Sequence, residues 1–331
     1  MRNLYFIFLL LCCNYAVSQD IHWTQFNENP VFLNPAHSGN FRGDHRFHLN
    51  FRDQWRSVTK PFQTFSMSYD TRMKNPDYGL GVCLFHDQAG DGIFRTIELQ
   101  VNPSYRRLLT QDSVHRIQLG AHLALNHRQF QFNQFYFDEQ YNGFIFDPSI
   151  PNTEALNTDK KTNLSIGAGF IYQYYMDKRH QFNFGFSVFN LNQPNQGFYG
   201  TVVRRDVRFN LFFQSRINIY KDLDLNPTAM LQMQGTYREI LAGANLKYHL
   251  DPNPNHYRAV NAGLMFRSKD SFFFTAGLDY QNWYAGVSYD VNISSLKPAS
   301  SGRGGLEISL RYIIIKFKPN KHLHRICPEY I

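Results

Sequence analysis

Apolar and polar residues alternate along most of this chain with a period of two. In the run from Trp283 to Ile293, odd positions carry Trp283, Ala285, Val287, Tyr289, Val291 and Ile293, and even positions carry Tyr284, Gly286, Ser288, Asp290 and Asn292. Successive side chains of a strand point to opposite faces, so such a segment presents one face suited to lipid and one suited to water. The split recurs in Leu306, Ile308, Leu310 and Tyr312 against Glu307, Ser309 and Arg311, and in Ile117, Leu119, Ala121, Leu123 and Leu125 against Arg116, Gln118, Gly120 and His122. Phe182, Phe184, Phe186 and Val188 oppose Gln181, Asn183, Gly185 and Ser187, and Phe272, Phe274, Ala276 and Leu278 oppose Ser271, Thr275, Gly277 and Asp279.

About fourteen such segments are predicted, near 45–56, 61–72, 78–88, 93–107, 113–126, 163–176, 180–190, 204–219, 222–234, 237–249, 257–268, 271–280, 282–293 and 305–315. Many run ten residues or more, whereas strands of a soluble sandwich, the competing reading, more often run about five or six. The expectation is an all-β transmembrane antiparallel barrel. An even strand count returns the chain to its starting side. If the first strand rises from the periplasm, the long connections 127–162, 191–203 and 294–304 fall outside the cell. The connections at 73–77, 108–112, 177–179, 220–221 and 281 then fall inside and are short, with only 250–256 a longer inner turn, the distribution such barrels prefer.

The amino terminus changes the picture from barrel to exported barrel. Arg2, the apolar run Leu4 to Cys13 and the small residues Ala16-Val17-Ser18 read as a secretory signal peptide, with cleavage expected after Ser18. The run is too short for a spanning helix, which needs roughly twenty apolar residues. Cys12 and Cys13 lack the preceding small residue that lipoprotein processing prefers. The expected organisation is a signal peptide at 1–18, a periplasmic or plug segment at 19–44, the barrel at 45–315 and a periplasmic tail at 316–331. With 20 Tyr and 31 Phe but a mean hydropathy of −0.43, a membrane location requires strands rather than helices.

Charge and candidate chemistry add little. The formal net charge of +8 is scattered rather than gathered in runs, so a wet lumen and loops account for it and nucleic acid is not expected as a partner. Of 4 Cys, two leave with the signal peptide, and Cys83 and Cys327 do not make a disulfide framework. No phosphate loop, dinucleotide fingerprint, HExxH helix or CxxC pair is present, so no enzyme, cofactor or metal is expected. His322, His324 and Cys327 are potential zinc donors but sit in a Lys-rich tail. Asp87 to Gly92 lacks the acidic spacing of a calcium loop and reads as a Gly-rich hairpin connection. Trp55, Trp283 and the strand-end Tyr residues read as an interfacial girdle. Arg303 and Gly302, Gly304 and Gly305 are expected to form a tight turn into the last strand.

Particular residues carry a resemblance. Gln19-Asp20-Ile21-His22-Trp23-Thr24-Gln25 leads into Asn34-Pro35-Ala36-His37-Ser38-Gly39, followed by Arg52-Asp53-Gln54-Trp55. Near the end come Trp283-Tyr284-Ala285-Gly286-Val287-Ser288-Tyr289-Asp290, then Gly304-Gly305-Leu306-Glu307, and Cys327-Pro328. In these motifs the chain resembles the PorP/SprF family of Bacteroidota outer-membrane proteins over nearly its whole mature length. The resemblance implies a role in type IX secretion and, in gliding bacteria, in export or surface attachment of adhesins through their carboxyl-terminal domains. It also implies partners among secretion components or peptidoglycan-linked periplasmic proteins, with these motif residues serving structure or partner binding. A transport barrel for a hydrophobic or small polar solute is the alternative. Cargo contacts are expected in the outer loops. The first holds Phe130, Phe132, Phe135, Tyr136, Phe137, Tyr141, Phe144 and Phe146, read equally as an exposed patch or an inward plug. The ends 19–44 and 316–331 are expected to be free to meet periplasmic machinery.

Overall fold

The structure, a computed structural model, describes residues 21–54, 56, 60–90, 94–131, 135, 137–147, 149–150, 159–177, 179–198, 202–253, 256–294, 297–300 and 302–315. The signal peptide and its cleavage point, Trp55, the tail with His322, His324, Cys327 and Pro328, and part of the 127–162 loop lie outside them. Among the described residues the chain forms β1 (His45–Gln54), β2 (Phe62–Arg72), β3 (Tyr78–Ala89), β4 (Phe94–Leu108), β5 (His115–Gln129), β6 (Lys160–Tyr175) and β7 (Gln181–Phe189). The second half adds β8 (Arg208–Tyr220), β9 (Leu223–Gln234), β10 (Tyr237–Asp251), β11 (Arg258–Arg267), β12 (Ser271–Tyr280), β13 (Trp283–Asn292) and β14 (Arg303–Ile314). Each strand pairs antiparallel with its sequence neighbour, and β1 closes on β14 in a register running from His45 opposite Ile314 to Gln54 opposite Gly305. Closure leaves no strand edge to lipid, where unpaired backbone groups have no water to bind.

The alternation read from the sequence is the alternation of the wall. On β13, Trp283, Ala285, Val287, Tyr289 and Val291 face outward while Tyr284, Gly286, Ser288, Asp290 and Asn292 are buried in the lumen. On β2 the inward series is Thr64, Ser66, Ser68 and Asp70, all buried. Pro103 sits within β4 although proline has no N–H to give. The β4–β5 ladder skips it, passing from Val101 opposite Leu123 to Ser104 opposite Gly120 without losing register. β8 begins at Arg208 rather than near 204, and the outer ends of β5 and β6 run past their expected bounds, pairing through Asn126–Asn163 to Gln129–Lys160. These residues are polar on both faces, so the pairing extends past the point where lipid imposes a pattern.

The strand ends joined by the long connections 130–159, 190–207 and 293–302 all lie at one end of the barrel. The turns 73–77, 109–114, 176–180, 221–222, 252–257 and 281–282 lie at the other, which is the periplasmic end for an outer-membrane barrel. Among the described residues no helix is long and apolar enough to cross a membrane; the crossing is made by strands.

Two expectations are corrected here. Of the two readings of 19–44 the plug is the one seen, and residues 21–40 are not free to meet periplasmic machinery: they are folded into the lumen as short turns at Phe26–Glu28, Pro30–Leu33 and Pro35–His37. The cause is a hydrophobic core inside the barrel. Trp23, Phe26, Phe32, Leu33 and Ala36 pack against Ile171, Phe212, Met230, Leu241, Met265 and Phe273, apolar side chains at inward positions of the wall. Trp23 meets Phe32 edge to face, with centroids 6.4 Å apart. A lumen is wet, so burying apolar surface there is favourable in a way it is not between lipid and protein. Nor do the glycines of 302–305 all form a turn. Gly302 alone has positive φ (74°), and β14 has begun by Arg303, with Gly304 and Gly305 inside the strand.

Candidate functional site

The amino-terminal segment runs the length of the lumen, and its two ends are held by different chemistry. At the outer end, where β1 finishes and β14 begins, the motif residues Arg52, Asp290 and Glu307 meet Thr24 and Gln25. The Glu307 carboxylate accepts from the backbone N–H of Thr24 and of Gln25, both at 2.8 Å. Thr24 Oγ1 donates to Asp290 Oδ1 at 3.0 Å and accepts from Arg267 Nη2 at 3.0 Å. Arg52 Nη2 lies 3.0 Å from Asp290 Oδ2, and its Nη1 lies 3.7 Å from Glu307 and donates to the carbonyl of His22. Arg267 also pairs with Asp270 at 2.9 Å and with Glu239 at 3.7 Å. Arg52 and Glu307 are each 1% exposed and Arg267 is 0% exposed. Charges so buried persist only when paired and hydrogen-bonded, and here each guanidinium faces more than one carboxylate.

Gln25 completes this latch with every polar atom of its amide satisfied. Its Oε1 accepts from Ser309 Oγ at 2.6 Å, and its Nε2 donates to the Glu307 carbonyl at 3.1 Å and Ser288 Oγ at 3.3 Å. A Cβ on Gly286 would lie 2.7 Å from Gln25 Oε1, so glycine makes room for the amide. Below it, Glu28 pairs with Arg311 at 2.8 Å, whose guanidinium sits 4.7 Å from the centre of the Tyr284 ring and 3.0 Å from Asp279.

At the inner end the Asn34–Gly39 turn is seated by backbone contact. Asn34 Oδ1 accepts from Ala36 N–H at 2.8 Å, closing the turn, while its Nδ2 donates to the wall carbonyls of Phe170 and Phe186 at 3.2 and 3.0 Å. Pro35 then starts a helical turn, where its missing N–H is no loss. Four inward glycines form the trough that receives it. A Cβ on Gly120 would come within 2.3 Å of Ala36 N, on Gly169 within 2.0 Å of Asn34 Oδ1, and on Gly79 and Gly81 within 2.3 and 2.4 Å of Ser38. Gly39 adopts φ of 70°, which glycine takes without strain, and its N–H donates to Asp70 at 2.7 Å. Asp70 in turn pairs with Arg46 at 2.9 Å, and Arg46 donates to the carbonyl of His37. Beside the plug, Gln25, Asn27, Glu28, Asn245, Lys247 and Asp279 border a polar cavity of about 240 Å³.

The described motif residues therefore sort into four groups. Asn34, Pro35, Ala36 and Gly39 make the inner turn, and Arg52, Ser288, Asp290 and Glu307 hold the outer latch. Tyr284, Gly286, Gly304 and Gly305 shape the lumen wall, a Cβ on Gly304 falling 2.3 Å from the Asp290 carbonyl. Trp283 and Tyr289 face outward instead, Trp283 stacking on Tyr312 with centroids 4.3 Å apart. Sequence reasoning missed Arg267, Glu239, Asp270, Asp70 and the glycine trough. The available signal was a buried-side Arg, Glu or Asp in mid-pattern, which a merely wet lumen does not require. Cys83 is a free thiol buried on the lumen side of β3.

The described residues of the outer loop 130–159 do not supply the plug, and Phe132 and Tyr136 lie outside them. Phe130 is buried against Phe94, Phe135 and Phe198 at the rim, with centroids 5.6, 5.9 and 4.8 Å away. Beyond it a hairpin bridged between Tyr141 and Phe146 stands away from the lumen, with Phe144 91% exposed.

Comparison with known proteins places this architecture. The fold is similar to that of the Ralstonia pickettii toluene transporter TbuX, with a TM-score of 0.54, 10% identity, and coverage of 87% of this chain and 94% of that one. It is likewise similar to the Pseudomonas putida toluene transporter TodX (0.53, 9% identity, 89% and 95% covered) and to the CymD monoaromatic hydrocarbon channel (0.53, 9% identity, 87% and 93% covered). At such identities the likeness is one of fold, that of an outer-membrane barrel. No curated protein matches the chain. The family model described as type IX secretion system membrane protein PorP/SprF matches residues 16–312, nearly the entire chain. With every motif of the latch and the turn inside that span, the chain belongs to the PorP/SprF family of type IX secretion system membrane proteins.

Proposed function

We propose that this barrel works in type IX secretion as a closed outer-membrane anchor, holding an exported protein or adhesin at the cell surface by its carboxyl-terminal domain. The observation that carries the reading is the filled lumen. A segment held by buried ion pairs at one end and by a fitted backbone turn at the other is costly to displace, which suits a scaffold better than a conduit. The 141–146 hairpin supplies the complementary feature. Exposed aromatic side chains on an outer loop are the usual composition of a protein contact, and Tyr141, Phe144 and Phe146 sit together at this tip. In this reading the chain performs no catalysis.

Isolation of the tagged protein from native outer membranes in mild detergent, followed by mass spectrometry, tests the proposal. Stoichiometric recovery of a large exported protein is expected, and recovery of the barrel alone would count against a stable anchor. A transport role is the second reading, favoured by the polar cavity beside the plug and by the transport barrels among its fold neighbours. Steady conductance of the wild-type protein in planar bilayers would move the balance to it.

A further inference from the structure

The periplasmic end of the lumen holds a second site that the plug creates but does not use. Between the underside of the Asn34–Gly43 segment and the inner ends of the wall strands lies a cavity of about 720 Å³. Seven arginines line it: Arg42, Arg46, Arg72, Arg106, Arg116, Arg216 and Arg311. Its lining includes no Asp or Glu. Arg46 and Arg311 are neutralised by the carboxylates described above. The others are not. Arg72 donates to the backbone oxygens of Gly39 and Phe41, and Arg116 to Ser113 O at 3.0 Å while lying 4.1 Å from the centre of the Tyr175 ring. Arg42 and Arg216 are exposed in the cavity and form no ion pair among the described residues.

Neutral recognition groups at the floor point the same way. His37 and Gln173 line the cavity, are 7% and 3% exposed, and leave His37 Nε2 and Gln173 Oε1 without a hydrogen-bond partner among the described residues. A buried polar atom left unsatisfied is costly, so an unpaired imidazole nitrogen and an unpaired amide oxygen beside a cluster of guanidiniums mark a place built for an occupant. The guanidinium fork matches carboxylates, and the amide oxygen suits a backbone N–H. The volume far exceeds that of one small inorganic anion.

We propose that this basin receives an acidic peptide segment of a periplasmic partner, its carboxylates held by Arg42, Arg116 and Arg216 and its chain by His37 and Gln173. The proposal is independent of what the outer loops hold. The test is calorimetric titration of the detergent-purified full chain with an acetylated, amidated hexaglutamate peptide, using unheated-gel mobility to verify that each variant is a folded barrel. Saturable one-to-one binding is expected, weakened on the order of tenfold or more in the R42Q/R216Q double variant and weakened by added salt. The R204Q/K269Q double variant removes two charges at the opposite mouth and is expected to bind as the wild type does. Absence of binding, equal affinity in R42Q/R216Q, an equal loss in R204Q/K269Q, or equal binding of hexaglutamine each overturns the proposal. Binding of tripolyphosphate but not of the peptide overturns it in favour of a phosphate site.

Discussion

Arginine serves opposite ends of this lumen in opposite ways. At the outer end Arg52 and Arg267 are fully buried and surrounded by Asp290, Glu307, Glu239 and Asp270, and the segment they hold is locked in place. At the inner end Arg42, Arg116 and Arg216 border water with no carboxylate paired to them among the described residues. The same side chain is therefore a structural element where its charge is satisfied within the fold and an open recognition group where it is not. Burial decides which, because a charge out of water must find its partner inside the protein, whereas one at a wet mouth need not.

Removing charge at the outer end breaks the comparison most severely. Arg267→Met leaves the buried Asp290 and Glu239 short of a guanidinium, removes the partner of the partly exposed Asp270, and takes away a donor to Thr24. A cost of roughly 3–5 kcal/mol to the docked plug is expected. Planar-bilayer conductance and proteolysis of residues 21–44 read it directly, the variant conducting and being cut while the wild type does neither. Gly169→Leu comes next. Its Cβ would meet Asn34 Oδ1 at 2.0 Å, so the inner turn must shift, at a cost of about 1–3 kcal/mol. Thermal unfolding followed by gel mobility should show a lowered midpoint with the barrel still formed, and a midpoint equal to that of the wild type would argue against the trough. Arg216→Gln is expected to have the smallest effect on stability, within about 0.5 kcal/mol, because it removes an exposed charge with no ion pair to lose. A large drop would mean the inner arginines are structural after all.

Much of the barrel was legible because lipid imposes a rule on every spanning strand. The alternations at 117–125, 182–188, 283–293 and 306–312 place their apolar residues on the outside without regard to any distant contact. The rule lapses where the constraint does. β5 and β6 continue to Gln129 and Lys160 through residues polar on both sides, and Phe273, Phe212 and Leu241 point inward because a plug, not water, meets them. Motif residues such as Asn34 and Glu307 stood out in the chain, but nothing adjacent to either shows what it binds.

The chain alone determined an exported, closed, even-stranded barrel with its long loops on one side, since side-chain period and connection length are local properties. Only the tertiary structure decided what lies within it. Thr24 meets Glu307 across 283 positions and Arg52 meets Asp290 across 238, pairings that exist because closure of β1 on β14 brings those strand ends together. Inward polar residues carry a side but not a partner, and the partner is set by register and closure, which no local pattern encodes.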